Sequence, residues 1–261
     1  MKAIKITDAD FADDIALLAN SIQEVQDLLH DVEIEASLVG LKMNEGKTKY
    51  LVENIDNDQQ ILSTSGQAID RVEDFIYLGS WIRSTEKDIK VRKAKAWAAC
   101  HKLKKVWKSD LRKALKIRLF TATVESVLLY GSETWTLNTR LSRILDGCYT
   151  RMLRMAMDVS WKQHLTNFEL YGSLPKLTSK IAQRRLKLAG HSIRHPELTS
   201  NAVTLWEPLH GKTNRGRPKL TYIDCLRKDI GIENTSEINT MMLDRVLWRS
   251  IVDNAREHHS K

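Results

Sequence analysis

The chain has 261 residues, 41 Lys+Arg against 33 Asp+Glu, a formal net charge of +8, 42% hydrophobic and 28% charged residues. That is the composition of a globular protein, not a disordered one. No apolar run approaches the roughly 18 residues of a membrane span, and the opening MKAIKITDAD lacks the apolar core of a signal peptide. A nuclear or cytoplasmic, non-secreted protein with no membrane partner is expected. Cys100, Cys148 and Cys225 are odd in number and never spaced C-x-x-C, so neither a disulfide framework nor a zinc ribbon is indicated and reduced, buried thiols are expected.

Charge is divided along the chain. Residues 1–80 hold 6 Lys+Arg against 16 Asp+Glu, and the remainder holds 35 against 17. Such separation suits an acidic metal-binding part joined to a basic part that tracks a nucleic-acid backbone.

In chain order, the apolar segment Ala3 to Ile6, an Asp-rich turn and the run Ile15 to Ala19 predict a β-hairpin with acidic residues at its tip. Ser21 and Glu24 offer a capping box for a helix whose apolar stripe is Ile22, Val25, Leu29, Val32, Ala36 and Val39, ended by Gly40. Strands are expected near Lys49 to Glu53 and Phe75 to Ile82. Beyond Glu86 helical patterns dominate, near 86–108, 110–130, 139–157, 178–195 and 239–257. The first of these carries Lys87, Lys90, Arg92, Lys93, Lys95, Lys102, Lys104, Lys105 and Lys108, with Trp97 and Trp107 among them.

Two-metal nucleotidyl transfer needs carboxylates held at a rigid, exposed turn, where hard oxygen ligands suit Mg²⁺ or Mn²⁺. Asp13 and Asp14 at the hairpin tip meet that description. Taken alone, adjacent aspartates are more often turn or helix-cap residues than metal ligands. Asp10, Asp13 and Asp14 also spell the D-x-x-D-D of isoprenoid-type diphosphate enzymes, but there the carboxylates lie along helices around an apolar cavity, unlike the strand expected here.

Several segments in order resemble the reverse transcriptases of non-LTR retrotransposons of the endonuclease-encoding type. Phe11-Ala12-Asp13-Asp14 with Ile15-Ala16-Leu17-Leu18-Ala19 resembles the palm hairpin with its catalytic aspartates. Gly40-Leu41-Lys42-Met43-Asn44-Glu45-Gly46-Lys47-Thr48-Lys49 resembles the next palm motif. Tyr77-Leu78-Gly79-Ser80 resembles the segment that grips the primer end, and Leu128-Leu129-Tyr130-Gly131-Ser132-Glu133-Thr134-Trp135 a stretch of the thumb region. The similarity spans roughly residues 7–230.

The resemblance implies an α+β fold: a partial palm over 1–82 (hairpin, helix, short strands), a mainly α-helical thumb over 83–175 and a basic helical region over 176–261. It implies Asp13 and Asp14 as metal ligands and catalytic residues and Lys47 as a catalytic cation, which is alternatively a solvated strand residue. Tyr77, Leu78 and Gly79 become the primer grip, Mg²⁺ or Mn²⁺ the cofactor, and RNA template, DNA primer and deoxynucleoside triphosphates the partners. The family palm also uses an aspartate on an earlier strand, and only ten residues precede Phe11. The expectation is a C-terminal fragment of a longer element, inactive by itself. The alternative is a non-catalytic, retroelement-derived RNA- or DNA-binding protein, or a pseudogene product.

For nucleic-acid contact the candidates are Lys93, Lys95, Lys104, Lys105, Arg184, Arg185, Arg215, Arg217 and Lys219. The last three lie in Arg215-Gly216-Arg217-Pro218-Lys219, which resembles an AT-hook core for the A·T minor groove and is otherwise a solvated loop before a helix near Leu220. His191 and His195, one helical turn apart, could ligate zinc but lack a second pair of ligands. The tryptophans, Trp206 and Trp248 included, could stack on bases, although helical spacing favours core positions.

Overall fold

A computed structural model of the protein describes residues 6–53, 59–207 and 220–258, the side chains of 256–258 excepted. The chain divides between Ser84 and Thr85 into two compact units. Among the described residues no helix is long and apolar enough to cross a membrane.

The first unit begins with an antiparallel hairpin, β1 (Asp8–Phe11) and β2 (Asp14–Leu17), in the register Asp8↔Leu17 to Phe11↔Asp14. The first strand thus starts later than the Ala3 to Ile6 expectation. Ile6 lies outside it, Ala3 to Lys5 lie outside the described residues, and Asp8 and Asp10 are strand residues instead of turn residues.

Helix α1 (Ile22–Leu38) starts where Ser21 Oγ accepts from Glu24 N at 3.1 Å. Glu24 completes the cap by accepting from Asn20 N at 3.0 Å, one residue earlier than in a standard capping box. Gly40, at φ 78°, closes the helix as Leu41 N reaches back to Ala36 O at 2.9 Å. Only the first half of the apolar stripe is covered: Ile22 and Leu29 are buried with Ile61 and Ile69, whereas Val39 is exposed. Gln26 ties α1 to the facing chain by accepting from Leu62 N (2.8 Å) and donating to Leu62 O (2.6 Å).

β3 (Lys49–Tyr50) and β4 (Asp70–Arg71) pair in parallel. The segment expected as one strand over Phe75 to Ile82 is instead a second hairpin, β5 (Ile76–Tyr77) and β6 (Ser80–Trp81). Leu78 and Gly79 both have positive φ (48° and 80°), the backbone of a two-residue type I′ turn, and glycine at the second position makes that reversal inexpensive.

The second unit is helical throughout its described residues. α2 (Thr85–Lys102), α3 (Lys104–Trp107) and α4 (Lys113–Phe120) lead into a π-helical turn at Thr121–Glu125, then α5 (Ser126–Leu128). α6 (Thr139–Ala156), capped by Asn138, α7 (Asn167–Tyr171) and α8 (Leu177–Arg194) follow. α9 (Thr199–Thr204), α10 (Tyr222–Ile230), α11 (Thr235–Leu243) and α12 (Arg245–His258) complete it. The helix expected over 239–257 is broken at Asp244, whose Oδ1 accepts from Val246 N (2.9 Å) and Leu247 N (3.0 Å) and so caps α12.

Helix α8 belongs to two cores. Leu177 and Ile181 pack with Phe120, Trp135, Leu145 and Met152, while Leu186, Ala189 and Ile193 pack with Leu226, Met242, Trp248 and Val252. That shared helix is why the thumb and C-terminal regions expected on either side of residue 175 form one unit. Cys100, Cys148 and Cys225 are all buried and unpaired, and burial pushes the Cys100 thiol up to about 11.

In the second core α8 and α12 approach closely. Trp248 Nε1 donates to Leu186 O at 2.9 Å, and a Cβ built on Gly190 would overlap Trp248 Nε1 and Cδ1. Gly190→Ala is therefore expected to lower stability by about 3 kcal/mol, through overpacking and loss of the indole hydrogen bond. A shift of the urea midpoint reads this, and an unchanged midpoint would refute the close packing.

Candidate metal turn and nucleic-acid interface

Asp13 and Asp14 are exposed at the tip of the first hairpin. The two-residue turn is Ala12-Asp13. Ala12 has φ 56°, a position normally filled by glycine, so the backbone beside Asp13 is held in a sparsely populated conformation costing on the order of 1 kcal/mol or more. Tyr77 buttresses this turn: its hydroxyl lies 2.8 Å from Ala9 O and 3.4 Å from Asp14 O. The segment expected to grip a primer thus hydrogen-bonds the backbone of the acidic hairpin, with Leu78 and Gly79 forming the reversal beyond it.

Lys47 is exposed and sits in a turn organised by Asn44, whose Oδ1 accepts from Lys47 N at 3.1 Å. It makes no ion pair with either aspartate, and neighbouring Lys49 is engaged with Asp70 at 2.6 Å. The chemistry of two hard carboxylates suits Mg²⁺ or Mn²⁺. Among the described residues no group of three or more His, Cys, Asp or Glu could hold a metal ion. No metal-dependent step follows from these residues by themselves.

In the helical unit the two carboxylates of α2 are engaged by residues of that unit. Glu86 pairs with Arg140 at 2.5 Å, and the arginine beside it holds the Glu86 carboxyl below the usual range. Asp88 is buried and accepts from Trp135 Nε1 at 2.7 Å. Arg92 also turns inward, 4.0 Å from the centroid of the Tyr130 ring. Ala96 and Cys100 complete that buried face. Lys90, Lys95, Lys102, Lys104, Lys105 and Lys108 are exposed, Lys93 is half-buried, and among the described residues none of the seven forms an ion pair. These lysines carry positive charge that neither carboxylate of α2 pairs.

Arg184 and Arg185 part company. Arg184 is partly exposed and pairs with Glu133 at 3.1 Å. Arg185 is 2% exposed, with Nη1 on Asp229 and Nη2 donating to Trp135 O at 2.6 Å. Contrary to the sequence expectation, its guanidinium is occupied inside the fold and removed from the surface a phosphate could reach. Arg215, Arg217 and Lys219 lie outside the described residues.

Sequence reasoning missed what Leu128 to Trp135 does. Gly131 (φ 69°) reverses the chain so that Trp135 meets Asp88 of α2 and Arg185 of α8 while Glu133 takes Arg184. The combination of Gly, Glu and Trp was visible, but its partners are distant in sequence.

Along nearly its whole length the chain is similar to a transposon-derived protein of Caenorhabditis elegans. The two share 28% identity over 265 residues, covering 95% of each chain. A transposon origin is thereby supported. No family model and no solved structure matches the chain.

The aromatics sort by burial. Trp107, Trp135 and Trp248 are core residues, whereas Trp161, Phe168 and Trp206 are 79%, 87% and 66% exposed. Trp161 and Phe168 lie on a segment pinned to α6 by Arg154, which donates to Leu165 O (2.8 Å) and Asn167 Oδ1 (2.9 Å). His191 and His195 stack at 4.3 Å between centroids, with His195 Nδ1 2.8 Å from Glu197, and join no metal-binding group among the described residues.

Proposed function

We propose that this chain descends from the reverse transcriptase of a non-LTR retrotransposon and acts as a nucleic-acid-binding protein, holding template–primer duplex through its helical unit. The observation that carries this reading is the α2–α3 surface, where Lys90, Lys93, Lys95, Lys102, Lys104 and Lys105 form no ion pair among the described residues while Glu86 and Asp88 are engaged by Arg140 and Trp135. A phosphate backbone is a polyanion that supplies the missing counter-charge, and its counterion release drives association. The ordered motifs and the similarity to a transposon-derived protein are consistent with that ancestry.

Nucleotidyl transfer belongs to this reading only with a further carboxylate beside Asp13 and Asp14. In that form Mg²⁺ or Mn²⁺ would supply Lewis-acid activation of the attacking hydroxyl, with Asp13 and Asp14 as two of its ligands. Tyr77 would keep the turn's backbone in place. The partners would be an RNA template, a DNA primer and deoxynucleoside triphosphates.

Fluorescence anisotropy with an RNA–DNA hybrid tests the binding reading. Affinity is expected to fall with salt at a log–log slope of about −0.9 per phosphate neutralised, so that Lys95→Gln with Lys104→Gln and Lys105→Gln flattens the slope by about 2 to 3. Asp13→Asn with Asp14→Asn should leave affinity within about twofold, since this reading places the phosphate contacts on the lysines of the helical unit and none on these carboxylates. Salt-insensitive binding, or a triple variant that binds as wild type, would overturn the reading. Primer extension by the purified chain in Mg²⁺ or Mn²⁺, abolished by Asp13→Ala, would instead show a complete catalytic site.

A further inference from the structure

Within the helical unit, α6, the start of α8 and the end of α10 enclose an open cleft of about 200 Å³. Cations from three places converge on it: Arg143 of α6, Lys176 at the N-cap of α8 and Lys228 of α10, with buried Arg185 beneath. Two carboxylates also line the cleft, and protein donors engage both. Asp146 accepts from Thr178 N at 3.0 Å and from Thr178 Oγ1 at 2.9 Å, which caps α8. Asp229 is paired with Arg185, whose Nε is buried without a hydrogen-bond partner.

Arg143 and Lys228 are exposed and form no ion pair among the described residues. Ser142 and Thr139 add hydroxyl donors to the same lining. Arg143 and Lys228 therefore bring to this lining positive charge that an anion entering the cleft would offset. The helices that present them are locked together by the Asp146 cap and by the buried Arg185–Asp229 pair. A guanidinium supplies paired donors for two oxygens, and ammonium groups act as point charges on the rest, a donor set suited to a tetrahedral phosphate oxyanion.

We propose that this cleft is a phosphate-binding site. The group bound is a nucleic-acid backbone phosphodiester or a free phosphate or phosphomonoester. The nucleic-acid reading above bears only on which of these sources applies, and the site itself stands on the convergence of charge.

The experiment uses the full chain and the double variant Arg143→Gln with Lys228→Gln, both positions exposed, with Arg143→Lys as the conservative control. In the first arm inorganic phosphate is added at constant ionic strength. At about ten times its Kd it should raise the melting temperature by roughly 3 °C in the wild type and not in the double variant. In the second arm a labelled single-stranded DNA is titrated against salt, and the double variant should flatten the log–log slope by between one and two. Arg143→Lys, which keeps the charge without the paired donors, should retain most of the salt slope and only part of the phosphate response.

Loss of both responses assigns the site to backbone phosphate. Loss of the phosphate response with DNA binding unchanged assigns it to a free phosphate group. A chain that binds no DNA but keeps the phosphate response refutes the nucleic-acid reading and leaves the cleft intact. Phosphate stabilisation that persists in the double variant, or neither response in the wild type, overturns the proposal.

Discussion

Arg185→Ala is expected to unfold the helical unit, not to weaken nucleic-acid binding by a folded protein. The side chain is buried between α8 and α10, where it neutralises Asp229 and donates to Trp135 O. Asp229 has a side chain only 7% exposed. Truncation leaves that carboxylate without its cation and a buried carbonyl without its donor, a loss on the order of 3–5 kcal/mol. Total stability of a domain is about 5–15 kcal/mol, so the variant should show a large drop in urea midpoint or fail to accumulate folded. Arg185→Met combined with Asp229→Leu removes both charges and should recover most of the loss. If Arg185→Ala instead melted as wild type and bound nucleic acid more weakly, the assignment of this arginine to the surface would be right.

Glu125→Ala should have a comparable effect through a different network. Glu125 ends the π-helical turn and is buried. Its Oε2 accepts from Tyr149 Oη and from Lys180 Nζ, both at 2.6 Å, and Lys180 Nζ lies 3.2 Å from Tyr149 Oη. Burial first, and then the neighbouring Glu125 charge, push the Tyr149 phenol far above its ordinary range, so it remains a neutral donor. Removing the carboxylate strands the Lys180 ammonium, whose side chain is 16% exposed, in a site built around a counter-charge. The expected cost is again about 3–5 kcal/mol, read as a shift in chemical denaturation. Glu125→Gln keeps an acceptor and should cost less. Equal stability of Glu125→Ala and wild type would mean that the network contributes nothing.

These residues mark where sequence reading stopped. Arg184 and Arg185 look alike in the chain, yet successive helical positions are about 100° apart, and only contact with Trp135 and Asp229 places one inside. Glu125 falls within a segment expected as regular helix over 110–130. The π turn adds a residue to the helical path there, and its partners come from α6 and α8, far along the chain. Tyr77 was expected to be important, but that its hydroxyl reaches the acidic hairpin depends on a contact across more than sixty residues of sequence.

Local rules were legible. Ser21, Glu24 and Gly40 delimit α1, and the aspartates occupy a hairpin tip because an acidic turn separates strand-forming residues. The expected strand over Phe75 to Ile82 failed locally, since Leu78-Gly79 takes up a type I′ reversal within an aromatic-rich run whose composition alone suggested continuity.

The sequence by itself determined the acidic-to-basic division, the hairpin bearing Asp13 and Asp14, the capped helix after it and the lysine-rich α2. Each follows from composition, short-range periodicity or capping, which act within a few residues. Tertiary structure decided which charges remain available. Glu86 is paired with Arg140, Asp88 accepts from Trp135 inside the fold, Arg92 and Arg185 are buried, and Lys90, Lys95, Lys102, Lys104 and Lys105 together with Arg143 and Lys228 are left exposed. Whether a charged side chain meets solvent, an ion partner or a core depends on which distant element packs over it, and that is a property of the folded chain.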